Sequence, residues 1–249
     1  MVHCLKIDLG APVAAADPYI HLDSFVAYAA GVEAVGRDEL QAMDDGGDPE
    51  YWTDEMPFER YQVGDEWVWA TSSAAVADHP VTETGSPERW NTTRWRSHFD
   101  NDPDHQIKET HVNTSSGEFK SYNAALPYSA TDTLQFFFEG DPERVRELIK
   151  DHIAAIGKKR SQGFGRIRDV QVTSADGYVD SAIYHDGHTL RSFPEAFTTR
   201  VAVGVHHERR TVRPPYWHQA NQTMAIPPFV EVPRDALVDD ITPREVAHA

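Results

Sequence analysis

Cysteine is nearly absent: Cys4 stands alone in 249 residues. One thiol forms no internal disulfide and supplies no CxxC half of a zinc site. It lies in an apparent strand and reads as a buried thiol. Lysine is also scarce, 6 against 17 arginines and 23 aspartates. Such an Asp-rich, Lys-poor surface reads as halophilic, though an acidic protein of ordinary salt has the same composition. Long apolar runs are missing; the longest, 25–32, is far short of a membrane span. The start, Met1-Val-His-Cys-Leu-Lys-Ile-Asp8, lacks a basic region followed by an apolar core, so no secretory signal is read and the expected location is cytoplasmic.

What is present is enough for a core: 40% hydrophobic and 25% charged residues, with a net charge of −17. That charge argues against a nucleic-acid partner until its distribution is mapped. Residues 1–143 hold 8 basic and 27 acidic side chains, whereas residues 144–249 hold 15 and 13. Residues 144–168 alone hold 8 basic side chains against Glu147 and Asp151, a local charge of +6. Phosphate binding responds to that local potential more than to the total.

The basic segment belongs to the most ordered-looking stretch, Thr131 to Ser174. Leu134–Phe138 is a short apolar and aromatic strand signal ending at Gly140. Asp141 suits a helix cap and Pro142 its first turn. Val145, Leu148, Ile149, His152, Ile153 and Ile156 recur at helical spacing, and Gly157 reads as the stop. Ile167, Val170 and Val172 resume a strand, with an irregularity at Arg168–Asp169. Between them lies a glycine-rich basic loop: Gly157, Lys158, Lys159, Arg160, Gln162, Gly163, Phe164, Gly165 and Arg166. Glycines let backbone N–H groups approach an anion, and Lys and Arg suit phosphate oxygens. Phe164, between two glycines, reads as an exposed base-stacking ring. The loop is not a P-loop, lacking Gly-Lys-Ser/Thr, nor a dinucleotide fingerprint, since it follows a helix instead of opening one.

This loop after an amphipathic helix resembles the glycine-rich loop of the RAMP superfamily of CRISPR systems. Pro18-Tyr-Ile-His-Leu-Asp-Ser-Phe-Val-Ala-Tyr28 resembles the opening of the same superfamily, and Arg213-Pro-Pro-Tyr-Trp217 a short motif of one branch. That branch is the Cas five-type subunit family of type IV effector complexes, the third Csf family. The resemblance implies a single α+β RAMP domain over 1–249, ferredoxin-like (RRM-like). It implies a noncatalytic RNA-binding subunit without cofactor that holds the 5′ handle of the CRISPR RNA. Such a subunit caps a filament of backbone subunits and meets a large subunit near target DNA. Besides the loop, the RNA-binding candidates are His21, Tyr216, Trp217, Arg94 and Arg96.

Each candidate has a plainer reading. His21 at a helix start packs or caps; as a general base it would make the protein a metal-independent endoribonuclease processing precursor RNA. Arg94 and Arg96 share one strand face opposite Trp95, either touching RNA or merely solvated. Tyr216 and Trp217 either anchor the chain or stack on a base. His185/His188 and His206/His207 lack ligand spacing, so no metal is expected. A scaffold protein without RNA contact is the third possibility.

Elsewhere, Val2–Leu9 reads as a strand with Leu5, Ile7 and Leu9 on one face, and His21 to Val35 as a helix with Leu22, Phe25, Val26 and Ala29 inward. Residues 39–129 read as an inserted, mostly β region: strands over Tyr61–Thr71 and Thr92–Phe99, and a hairpin of Ile107–Val112 with Glu118–Leu126. Tyr178–Tyr184 and Thr198–Val205 are further strand candidates. Residues 209–249 read as an extended Pro-rich arm with little periodicity.

Overall fold

The computed structural model describes residues 1–14, 19–43, 56–76, 88–93, 123–199, 205–238 and 243–244. Its centre is an antiparallel sheet of β1 (Val2–Leu9), β2 (Ala75–Val76), β3 (Thr133–Glu139) and β4 (Ile167–Ser174), in the order β2-β3-β1-β4. Helix α1 (Leu22–Val35) follows β1 and helix α2 (Pro142–His152) follows β3. The chain is thus α+β, mixing helices with small antiparallel sheets.

Alternation builds one side of this sheet. Leu5 and Ile7 of β1, Leu134, Phe136 and Phe138 of β3, and Val170 of β4 are buried together. They meet Leu22, Phe25 and Val26 of α1 and Val145, Leu148 and Ile149 of α2. Each large side chain so buried contributes roughly 1.5–3 kcal/mol. The irregularity expected near Arg168 is real: Asp8 pairs with Asp169 but Leu9 with Ile167, so Arg168 is an extra residue. Cys4 points to the other side and is half-buried, not enclosed as expected; Gln135 Nε2 lies 3.2 Å from its sulfur.

Several sequence expectations shift. Helix α2 stops at His152, before Gly157. Ile153 and Ile156 remain buried but serve as loop anchors, because the chain turns to bond with the segment at Gly165. Tyr61–Thr71 is not one strand but a hairpin, Arg60–Val63 with Glu66–Trp69, turning at Gly64 (φ 60°). Tyr178–Tyr184 is not a strand: Val179 makes an isolated bridge to Asp176, and Tyr184–His185 pairs with His188–Thr189 across Asp186-Gly187. Asn123–Ser129 pairs with Glu88–Thr93, while its expected hairpin partner, residues 107–112, lies outside the described residues. Residues 94–122 and 200–204, which carry the other strand candidates, lie outside the described residues.

The largest revision concerns residues 209–233, which are not a surface arm. Glu208–Thr211 and Gln222–Ile226 pair as strands, and Phe193–Pro194 adds a third. Val212, Ala225, Ile226 and Val232 are fully enclosed with Phe193, Phe197, Tyr61 and Val68 in a second core. The first core also takes Met56, Phe58 and Trp69 from the region read as an insertion.

Candidate nucleic-acid interface

The glycine loop is tied to the chain beneath it. Lys158 donates its backbone N–H to the Ala14 carbonyl (2.6 Å) and Gly165 to that of Pro12 (2.8 Å). A Cβ at Gly157 would lie 2.3 Å from the Ala14 oxygen, and one at Gly165 only 1.8 Å from the Ile156 oxygen. Those two glycines are required by packing. Gly163, with φ 94°, meets nothing within 4 Å. Gln162 and Gly163 donate their amides to the Lys159 and Arg160 carbonyls. Four loop amides are therefore engaged within the protein, and the expected cradle of backbone N–H groups gives way to side chains. Lys158, Arg160, Gln162 and Arg166 are exposed; Lys159 is half-buried in the left-handed region, φ 58°. Phe164 is not the exposed platform expected: it is half-buried, its ring centroid 6.2 Å from that of Tyr128.

The two outer motifs close on each other. His21 is buried, its Nδ1 2.9 Å from Ser73 Oγ, and its ring stacks on Tyr216 at 4.6 Å and 5°. Tyr216 Oη donates to Asp23 Oδ1 (2.8 Å), and Arg191 donates to Asp23 Oδ2 (3.1 Å). Arg191 also donates to Thr71 Oγ1 (2.9 Å) and to the carbonyls of Trp69 and Val212. Both partners of the Arg191–Asp23 pair are essentially inaccessible. Burial pushes the Asp23 carboxyl above its ordinary range, with Arg191 and Tyr216 pulling the other way. Burial, then Asp23, pushes the Tyr216 phenol well up. Burial, then the charges of Arg191 and Arg210, push His21 well below 6.5, so it is neutral. Trp217, 53% exposed, faces solvent beside this latch. Pro18, which opens the first motif, lies outside the described residues.

Between latch and loop runs a groove of about 740 Å³. It gathers His21, Gly157, Lys158, Arg160 and Tyr216 from the sequence candidates. Lys159, Gln162, Gly163, Phe164, Gly165, Arg166 and Trp217 are not among its lining residues, and Arg94 and Arg96 lie outside the described residues. The groove adds residues the sequence reading missed: Tyr19, Tyr28, Glu208, Arg209 and Arg210. The Arg210 guanidinium sits 5.1 Å over the Tyr19 ring. Arg191 was missed too; its one signal is a charge between Leu190 and Phe193, both buried. Cations at the rim over an aromatic, half-apolar floor can hold a phosphate chain and stack its bases.

His185 and His188 face each other across the Asp186-Gly187 turn. His188 Nδ1 lies 2.8 Å from the Asp186 carbonyl and His185 Nδ1 3.8 Å from Asp180. Among the described residues no three His, Cys, Asp or Glu side chains converge as a metal site would need. No described helix is long and apolar enough to cross a membrane.

A family model, CRISPR type IV associated protein Csf3, matches residues 3–228, which contain all three motifs. Comparison with curated proteins gives no match. The match spans most of the chain, so the chain belongs to the CRISPR type IV associated Csf3 family.

Proposed function

We propose that this type IV CRISPR-associated protein is a noncatalytic RNA-binding subunit of an effector ribonucleoprotein. It holds the 5′ handle of the CRISPR RNA in the groove, caps the foot of the filament of backbone subunits and meets the large subunit near target DNA. One observation carries the reading: three motifs far apart in sequence meet at one groove with a cationic rim. Lys158 and Arg160 come from the loop, Arg209 and Arg210 from the second core, and His21 and Tyr216 form the floor. The strand order supports the ferredoxin-like reading of the RAMP type: β1-α1-β2-β3-α2-β4 with the fourth strand beside the first and the second beside the third. An Asp-rich, Lys-poor chain suits a high-salt cytoplasm, where stacking and guanidinium contacts outlast diffuse charge.

The noncatalytic part rests on His21. Its ring is stacked, its Nδ1 is engaged with Ser73, and burial keeps it neutral. A histidine held so far below its ordinary range is a weak general base, and Tyr216, with its phenol pushed well up, is a weak partner acid. The test is RNA affinity at several salt concentrations for the whole chain and for Lys158→Ala/Arg160→Ala. Each lost phosphate contact lowers the log–log salt slope by about 0.7, so the double variant should fall by about 1.4. A folded variant with an unchanged slope would put the RNA elsewhere. RNA cleaved by the wild-type protein but not by His21→Ala would replace this reading with an endoribonuclease.

A further inference from the structure

The groove carries one charge of the wrong sign for a phosphate site. Among the described residues that line it, Glu208 is the one acid, against Lys158, Arg160, Arg209 and Arg210. Its side chain is 39% exposed, ion-paired through Oε1 with Arg210 and 3.6 Å through Oε2 from His206. Arg210 in turn sits over the Tyr19 ring, so the carboxylate's partner is itself fixed at the groove. A carboxylate repels the RNA backbone; the RNA groups it attracts are donors on base edges and ribose hydroxyls. Each carboxylate oxygen has two acceptor sites, so Arg210 at Oε1 and His206 at Oε2 leave one site on each.

The bases of single-stranded RNA expose their pairing edges. Guanine alone sets two donors side by side, N1–H and the N2 amino group, matching the two oxygens of a carboxylate. Cytosine and adenine place a ring acceptor next to their amino donor, and uracil flanks N3–H with two carbonyls; each would repel one oxygen. Resting on the RNA-binding reading above, we infer that Glu208 is a specificity-determining residue that selects guanine at one position of the bound strand. The surrounding cations fix the neighbouring phosphates.

The experiment measures binding of the whole chain to a short uridine-only RNA and to the same RNA carrying one guanosine, inosine or adenosine, scanned along its length. Inosine keeps N1–H but lacks the N2 amino group. At one position guanosine should bind about tenfold tighter than adenosine, with inosine between them. Glu208→Gln keeps the shape but offers one acceptor and one donor. It should abolish the guanosine preference, leaving guanosine, inosine and adenosine RNAs bound alike. Wild-type protein that binds RNA without guanosine preference, or a Glu208→Gln variant that keeps it, overturns the inference while RNA binding stands. Tighter binding of all RNAs by Glu208→Gln, with no preference in either protein, makes Glu208 a mere repelling charge and also overturns it. Failure of folded wild-type protein to bind any of these RNAs overturns the RNA-binding reading itself.

Discussion

Gly163 and Gly165 both have positive φ, 94° and 64°, yet a side chain would meet open space at the first and the Ile156 carbonyl at the second. Gly163→Ala should cost roughly 1–2 kcal/mol from the left-handed backbone alone and leave the fold intact. Gly165→Ala must push backbone aside and should cost markedly more, lowering the thermal midpoint well beyond Gly163→Ala. The two midpoints side by side check this. From sequence the two glycines looked alike, because the difference lies in a carbonyl that only the folded turn brings near. His21 titrates against the fold. Its folded pKa is far below 6.5, so below pH 6.5 the unfolded chain binds a proton that the folded chain refuses. Stability therefore falls as pH drops below 6.5, by up to about 1.4 kcal/mol per pH unit from this residue. His21→Phe keeps a ring against Tyr216 but does not titrate. The wild-type protein should lose more unfolding free energy than this variant between pH about 7.5 and about 5.

Among the elements, β1, α1, β3, α2 and β4 were legible because each buries one face at a regular period. Asp141 was legible as well: its side chain accepts from the Arg144 backbone N–H at 3.0 Å. Asp141→Ala should cost about 1 kcal/mol in denaturant unfolding, whereas Asp141→Asn should cost little. The end of α2 was misread because Ile153 and Ile156 keep helical spacing while serving a turn. Periodicity records burial, and a buried loop anchor imitates one more helical turn. The second core was illegible for a different reason. Its strands are 2 to 5 residues long and pair across distance, as Phe193 does with Ile226. Too few residues alternate for a period to show, and the prolines beside them suggested an unpaired chain.

For the molecule as a whole, Arg191 is the joint. It leaves the second core's strand region and bonds Asp23 at the start of α1, Trp69 and Thr71 beside the first core, and the Val212 carbonyl. Arg191→Met strands the Asp23 carboxylate in the interior and should cost about 3–5 kcal/mol. Adding Asp23→Leu should restore much of that loss, which a double-mutant cycle in urea would measure. A folded double variant would also have lost the bond that orients Tyr216, so its groove should bind RNA weakly despite restored stability. The same joint gives the groove a history in time. Asp23 and the Tyr216 hydroxyl that it receives are 193 residues apart. On the ribosome the first helix emerges early, but its aromatic partner Tyr216 follows 193 residues after Asp23. The first sheet can be complete while the nascent chain still has no floor to its groove. A chain ended prematurely just before Tyr216 keeps much of one core yet presents half a groove, with Asp23 lacking its phenol donor. The groove is thereby complete only once Tyr216 has been made and has stacked on His21.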